Sequence, residues 1–274
     1  MLRIASNMAS MSAQRALGMT QRSVEKSMRA LASGTRFADA GSDASGQAIA
    51  SNIQAQIKGY QAAKYNSDNA VSFVQVAEGA LNEQSNILIR LRELAIQSAS
   101  DTMGDKERGF IDYEVQGLVK EFDRIAKSTT FGSQALLDGT AKKYEFQVGI
   151  HKGEDNVISY SHEADTTADH LNIAGMSVKD KDDARDSLEN IDKALLDING
   201  TRAKLGAIQS RMDSSTSHIE NQIENLSDAF SRMSDADIPA EISNLRRGQI
   251  MQQYQAAALA EANNSQGYLL KLIA

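Results

Sequence analysis

Residues 187–233 decide the fold: SLENIDKALLDINGTRAKLGAIQSRMDSSTSHIENQIENLSDAFSRM. In this stretch large apolar residues recur every three or four positions, and with Arg202 and Ser215 in the same row the average step is about 3.5 residues. No proline interrupts it, so the sequence predicts one helix roughly 70 Å long at 1.5 Å per residue. So long and narrow an apolar row needs other helices of similar length beside it. The row consists of Leu188, Ile191, Leu195, Ile198, Leu205, Ile208, Met212, Ile219, Ile223, Leu226, Phe230 and Met233.

A second row of the same kind predicts another long helix over residues 44–99. Its members are separated by four and three residues in strict alternation, which is the spacing of a coiled-coil heptad. A turn at 101–105 follows, and then a shorter predicted helix with its apolar stripe between Ile111 and Ile125. The members of the second row are Ile49, Ile53, Gln56, Tyr60, Ala63, Ser67, Ala70, Val74, Ala77, Leu81, Gln84, Leu88, Leu91 and Ala95.

The periodicity changes after residue 128. Apolar residues then alternate with polar neighbours on both sides of the turn residues 153–156, and this alternation predicts a β-hairpin. Residues 161–186 are polar and irregular, so we expect a loop that leads into the long helix. The alternating residues are Tyr144, Phe146, Val148 and Ile150 before the turn, and Ile158 and Tyr160 after it.

Both ends of the chain predict amphipathic helices, over residues 1–31 and from Pro239 to the C-terminus. Much of their remaining sequence is Ala, Ser, Gln and Asn, which buries little apolar area within one chain. We therefore expect these ends to be held by a partner or by other copies of the chain. Their apolar residues include Ile4, Met8, Met11, Leu17, Val24, Met28, Leu31, Leu245, Ile250, Tyr254, Leu259, Leu269 and Leu272.

Composition and charge exclude several classes of protein. The 274 residues include no Cys, so disulfides and thiol chemistry are excluded. Residues 1–50 carry six basic and three acidic residues (+3) and residues 241–274 carry three and two (+1), so the middle of the chain carries −11 of the total net charge of −7. Such a distribution argues against a nucleic-acid partner. No stretch is long enough to insert in a membrane, and the start lacks the apolar run of a signal peptide.

The residues that carry catalytic or metal chemistry form no recognisable motif. Four of them, His162, Asp165, Asp169 and His170, lie close together and suggest a metal site, but there is no HExxH string and no Cys. We interpret the stretch that contains these four residues as a solvated loop. No glycine-rich phosphate loop is present either, because the glycines at 34–46 lack the following Lys-Ser/Thr. The sequence predicts no catalytic, metal or cofactor-binding residues and no enzyme.

Several strings along the whole chain resemble bacterial flagellin, the subunit of the flagellar filament, in its short form without outer variable domains. They occur in the order of that family and leave out only about residues 150–185. The strings are ASMSAQRAL (9–17), LASGTRFADAGSDASGQAIA (31–50), LRELAIQSAS (91–100), FQVG (146–149), INGTRAKLGAIQSRM (198–212), ENLSDAFSRMSDAD (224–237) and EISNLRRGQIMQQ (241–253).

The resemblance implies a mainly α-helical protein of long antiparallel helical rods with a small β-hairpin, whose helical termini pair. Its domains would be an N-terminal inner-core helix with connector (1–43), two parts of an outer-tube domain (44–180 and 181–235) and a C-terminal inner-core helix (236–274). The implied function is a structural subunit that self-assembles into the filament used for motility. The alternative is another flagellar axial or junction coiled-coil protein.

The resemblance also implies partners. These are identical or paralogous flagellin subunits, bound through the apolar residues of the two end helices, and the flagellar cap and hook-junction proteins. A cytoplasmic export chaperone would bind the C-terminal segment before secretion. The protein would then be exported to the extracellular flagellum without cleavage of a signal peptide. By the same resemblance, Arg90, Leu94 and Glu114 are the expected contacts of the animal flagellin-sensing Toll-like receptor.

Overall fold

The computed structural model describes residues 7–37, 41, 43–140, 143–160 and 165–273, with side chains described as far as residue 265. Its helices and strands form two compact units, Met1–Gln56 with Asn225–Ala274 (the end unit) and Ile57–Glu224 (the middle unit). The described elements, in chain order, are α1 (Met8–Ser33), α2 (Ala44–Ser98), α3 (Asp105–Ser128), β1 (Thr130–Phe131), β2 (Gln134–Ala135), β3 (Tyr144–Gln147), β4 (Val157–Tyr160), α4 (Lys181–Ser234) and α5 (Ile238–Ile273).

The end unit is built on the pairing of α1 with α5. Asn7 begins α1, because its Oδ1 accepts a hydrogen bond from the backbone N–H of Ser10 (2.9 Å). The Nδ2 of the same Asn7 donates to the carbonyl of Ala262 on α5 (2.7 Å). Gly34 ends α1 in the left-handed conformation (φ 70°), which a glycine adopts without strain. The predicted pairing of two helical termini is therefore confirmed.

The core of the middle unit contains the rows that the sequence predicted. In α2 every predicted row position from Ala63 to Ala95 is buried, and α4 buries its row from Ile191 to Ile219 at all positions except Leu195, Arg202 and Ser215. At the start of α2, by contrast, Ile49 is exposed. The heptad spacing thus locates the core over the middle unit.

The predicted hairpin is present. Strands β3 and β4 are antiparallel, with Tyr144 opposite Tyr160 and Gln147 opposite Val157. Its aromatic residues pack on α2, where the Phe73 ring lies 4.6 Å from the Tyr144 ring in edge-on contact. Before it, β1 and β2 form a second antiparallel ribbon that the turn-rich sequence did not predict.

The segment between β4 and α4 corrects the expectation of a solvated polar loop. In its described part, residues 165–180, apolar side chains enter the core of the middle unit. Two residues of α3 fix this segment: Asp112 accepts the backbone N–H of Val178 (3.1 Å), and Gln116 Nε2 donates to the carbonyl of Met176 (2.6 Å). The core residues of the segment are Ala168, Leu171, Ile173, Met176 and Val178.

Candidate self-association surface

The contact between α1 and α5 is close at Val24. Val24 is buried, and α5 presents Gly248 to it. The other buried residues of α1 are small: Ser10, Ser27 and Ala30. Four more of the predicted apolar residues on the two helices are half-buried: Leu17, Leu31, Leu245 and Leu259.

The remaining predicted self-association residues with described side chains are exposed, which leaves an apolar surface on each end helix. Four further exposed apolar residues of these helices were not among the predicted self-association residues: Met19 on α1, and Ile238, Ile242 and Met251 on α5. The same helical periodicity could have included them. The exposed predicted residues are Met8, Met11, Met28, Ile250 and Tyr254. The side chains of Ile4, Leu269 and Leu272 lie outside the described residues.

Basic residues lie among the exposed methionines of α1. A shallow groove along the helix is lined by Ser12, Arg15, Gly18, Met19 and Arg22. Within the described part of the chain neither arginine of this groove forms an ion pair. The exposed surface of α1 is therefore both apolar and positively charged, and it can bind a partner with acidic and apolar residues.

Asp43, just before α2, links the first turn of that helix to Arg36, which follows α1. Its Oδ1 accepts the backbone N–H of Gly46 (2.9 Å) and the Ser45 hydroxyl (3.0 Å), and its Oδ2 accepts Arg36 Nη2 (2.9 Å). These bonds, above all the one from Gly46, hold the pKa of Asp43 below its ordinary value. The carboxylate thus caps the first turn of α2 and ties Arg36 to it.

Two of the three expected receptor contacts lie on the surface of the middle unit. Arg90 Nη2 donates to Glu114 Oε1 (2.8 Å) and Arg90 Nη1 donates to Glu93 Oε2 (3.0 Å). The hydrogen bonds from Arg90, that to Glu114 first, raise the pKa of its guanidinium. Leu94, however, is 2% exposed and lies in the core. The expectation of a direct contact through Leu94 therefore does not fit this fold.

The polar cluster that suggested a metal site is only partly within the described residues. His170 Nδ1 lies 3.7 Å from Asp165 Oδ2, whereas His162 lies outside them. Over the described ranges, no group of three or more His, Cys, Asp or Glu side chains could hold a metal ion. None of the described helices is long and apolar enough to cross a membrane.

Two family models match the chain over most of its length. The bacterial flagellin N-terminal helical region matches residues 4–142, and the bacterial flagellin C-terminal helical region matches residues 188–273. The flagellin of Halalkalibacterium halodurans is 36% identical over 267 residues, covering 97% of this chain and 98% of that protein. Flagellin FlaB1 of Treponema pallidum is 36% identical over 283 residues, with 97% and 98% coverage. The flagellin of Bacillus subtilis is 34% identical over 306 residues, with 99% and 100% coverage.

Solved structures share the same helical fold. The crystal structure of Bacillus cereus flagellin is 28% identical, with a TM-score of 0.51 over 57% of this chain and 88% of that chain. A putative flagellar hook-associated protein from Vibrio parahaemolyticus has a TM-score of 0.60 over 71% of this chain and 100% of that chain. Because its sequence identity is only 12%, that likeness concerns the fold alone.

Proposed function

As a member of the bacterial flagellin family, to which this chain belongs, the protein is a structural subunit of the bacterial flagellar filament, and we propose that it polymerises through the exposed surfaces of α1 and α5. The alternative of another axial or junction protein is not favoured, because flagellin models match both halves of the chain. The filament of this family is extracellular and consists of flagellin subunits.

One observation supports the choice of surface. Each end helix binds the other helix and also keeps large apolar residues exposed, among them Met11 and Met28 on α1 and Ile250 and Tyr254 on α5. Burying such a residue in a neighbouring subunit contributes about 1.5–3 kcal/mol per side chain. Repetition of this contact in every subunit stabilises a long polymer. Since surface and partner surface differ, the contact does not close, and an open helical filament results.

The remaining partners follow from the same end helices. We propose that the cap and hook-junction proteins bind the surfaces that neighbouring subunits cover within the filament. A cytoplasmic chaperone would cover the apolar C-terminal segment before assembly, which prevents premature polymerisation. Secretion would use the flagellar export route and remove no signal peptide.

Electron microscopy of the purified protein after salt-induced polymerisation tests the proposal. We expect filaments from the full chain. Truncation after Ala260 should leave the middle unit folded by circular dichroism but abolish polymerisation, because α5 loses its last turns. Normal filaments from the truncated chain would contradict the assignment to α5.

A matched pair of single substitutions locates the surface. Tyr254→Ser removes an exposed ring from α5, and Gln253→Ser changes its exposed polar neighbour. We expect the first to raise the critical concentration for polymerisation about tenfold or more, as for loss of a central interface residue, and the second to leave it unchanged. Equal critical concentrations would show that this side of α5 is not a subunit contact.

A further inference from the structure

In the described part of the chain, the exposed methionines all lie on the two end helices. Every methionine of α1 is between 54% and 60% exposed, and Met251 on α5 is 46% exposed. In the middle unit, by contrast, Met176 and Met212 are 7% and 0% exposed and belong to the core. Met103 and Met233 are half-buried. The thioether groups of the end helices are therefore open to small solutes in the free subunit. These residues, called the end methionines below, are Met8, Met11, Met19, Met28 and Met251.

Sulfur occurs in this chain only as the thioether of methionine. The sequence has no Cys and no Trp, so methionine is the side chain that hydrogen peroxide oxidises most readily. In this reaction one peroxide oxygen bonds to the sulfur, the O–O bond breaks, and the other oxygen leaves as water. Sulfur loses two electrons and peroxide gains them, and the flexible apolar side chain becomes a polar sulfoxide. Because exposure decides which thioethers react, the end methionines are the expected targets.

The end methionines belong to the surface through which the end helices are proposed to polymerise. Met11 and Met28 are exposed apolar residues of α1, and Met19 lines the shallow groove together with Arg15 and Arg22. A sulfoxide buried in an apolar contact without a donor is unfavourable. At Met19 the new oxygen is also a hydrogen-bond acceptor beside two guanidinium groups, so it competes for them with a carboxylate of a partner. Oxidation thus removes both properties that suit this surface to a second subunit.

We propose that hydrogen peroxide oxidises the end methionines of the free subunit to sulfoxides and that the oxidised subunit no longer joins the filament. The inference rests on the proposed function, because it needs the end helices to be the polymerisation surface. It adds a chemical modification that controls assembly. The core methionines of the middle unit take no part, since peroxide reaches them only when that unit opens.

The sensitive state is the subunit before assembly. In the filament a neighbouring subunit covers the end methionines, and a covered thioether reacts slowly. The modification is reversible, because methionine sulfoxide reductases return the thioether: two thiols join as a disulfide, and the sulfoxide oxygen leaves as water. Growth of the filament is therefore the oxidant-sensitive step, and an existing filament is not shortened.

Peptide mass spectrometry of the free subunit tests the accessibility. The subunit is treated with hydrogen peroxide, and the reaction is stopped at intervals. We expect the end methionines to be oxidised at least about tenfold faster than Met176 and Met212, because a core thioether must wait for opening of the middle unit. A core methionine that is oxidised as fast as Met19 would overturn the proposal.

Salt-induced polymerisation of the oxidised protein tests the consequence. We expect its critical concentration to rise about tenfold or more, and to return to the original value after treatment with reductases for both sulfoxide epimers. An unchanged critical concentration, or a rise that the reductases do not reverse, would overturn this inference alone. Absence of filaments from the untreated wild type would overturn the proposed function, and this inference with it.

A matched pair of variants assigns the effect to the end methionines. In the first, all five are changed to Leu, which conserves volume and helix propensity, so peroxide should leave its critical concentration unchanged. In the control, Met103→Leu and Met233→Leu keep the end methionines, and peroxide should raise the critical concentration as in the wild type. Equal responses of the two variants would overturn the proposal. If the first variant does not assemble untreated, recovery of the oxidised wild type after repair decides.

Oxidation of intact filaments gives an independent readout. In filaments the end methionines should be oxidised about tenfold or more slowly than in the free subunit, whereas the rate at Met212 should be the same in both. Equal rates for the end methionines in the two states would show that they lie outside the subunit contact, and this would overturn the proposal.

Discussion

Gly248 of α5 lies so close to Val24 of α1 that a β-carbon on Gly248 would be 2.5 Å from Val24 Cγ2. Carbon atoms do not approach so closely in a packed interior, so the absence of a side chain at 248 lets the two helices meet. Val24 is also one of the few buried apolar residues of α1. The pairing of the chain ends therefore depends on this glycine.

Gly248→Ala should weaken the α1–α5 pair by about 1–3 kcal/mol, the usual cost of overpacking, although alanine favours the helix. Because the pair recurs in every subunit, filaments of the variant should dissociate at a lower temperature, as measured by light scattering. Gly79→Ala on α2, outside the two end helices, is the control, since its β-carbon would meet no atom within 4 Å. If the Gly248→Ala filaments resist heat as well as the control, close approach at this point is not required.

Hydrogen exchange on the unassembled protein should separate the two units. Of α1, only Val24 and Ala30 are buried apolar residues, whereas α2 buries an apolar row from Ala63 to Ala95. Few buried contacts mean a low local free energy of opening. We expect the amides of α1 and α5 to exchange rapidly at low concentration, and those of the middle unit to be protected. Protection of α1 in a monomer of confirmed mass would contradict this.

How far the sequence predicts this structure depends on the element. The core of α2 follows from its four-three spacing alone, because a helix with that pattern has one apolar side. The buried segment before α4 did not follow, since Met176 and Val178 are held by Gln116 and Asp112 of α3, some 60 residues away in sequence. Contacts of that range leave no periodicity in the sequence.

The sequence predicts which residues of the end helices are apolar. It does not predict which of them pack between the two helices and which stay exposed. Val24 and Met28 belong to one apolar pattern, yet Val24 is buried against α5 and Met28 is exposed. The two side chains point in slightly different directions around the helix axis. This difference decides whether a side chain packs within the monomer or stays exposed for contacts in the polymer. Leu94 fails as a surface contact for a similar reason, since its place in the α2 core depends on which side of the helix packs inward.

Substitution of Asp112 should destabilise the middle unit. This buried carboxylate accepts the N–H of Val178 (3.1 Å) and the hydroxyl of Ser177 (3.3 Å). Asp112→Ala leaves the buried N–H of Val178 without an acceptor, which costs about 1–3 kcal/mol, whereas Asp112→Asn retains an acceptor oxygen and should cost less. Urea unfolding followed by circular dichroism measures both, with Asp213→Ala on the exposed side of α4 as control. An Asp112→Ala protein as stable as this control would contradict the assigned role.

Arg90→Ala should reduce recognition by the animal flagellin-sensing receptor, if this chain keeps the contacts that its family resemblance implies. The guanidinium of Arg90 is exposed and held by Glu93 and Glu114, so it is presented in one orientation. We expect about a tenfold loss of potency in a receptor reporter assay, as for loss of an interface hot spot. Arg92→Ala is the matched control, because Arg92 pairs with Asp192 of α4 and not with Glu114 of α3. Equal potency of the two variants would show that Arg90 is not read by the receptor.

Acid should release the cap that Asp43 forms on α2. The pKa of Asp43 is lower in the folded chain than its ordinary value of 3.8, first because of the Gly46 N–H and then because of Arg36. A carboxyl group whose pKa falls on folding stabilises the fold fully above its unfolded pKa, and this contribution disappears as the pH drops through the folded pKa. The cap should therefore be intact at neutral pH and be lost progressively below about pH 4.

Titration of the Asp43 carboxyl carbon by NMR tests both the direction of the shift and its causes. The wild-type midpoint should lie below 3.8. In Arg36→Ala the midpoint should rise but stay below that value, because the backbone bond from Gly46, the larger cause, remains. Asp43→Asn keeps an oxygen that accepts the Gly46 N–H and has no charge to titrate, so the Gly46 amide shift should no longer follow a carboxyl titration in this pH range. A wild-type midpoint at or above 3.8 would mean that the cap does not form in solution. An unchanged midpoint in Arg36→Ala would mean that Arg36 does not contact the Asp43 carboxylate in solution.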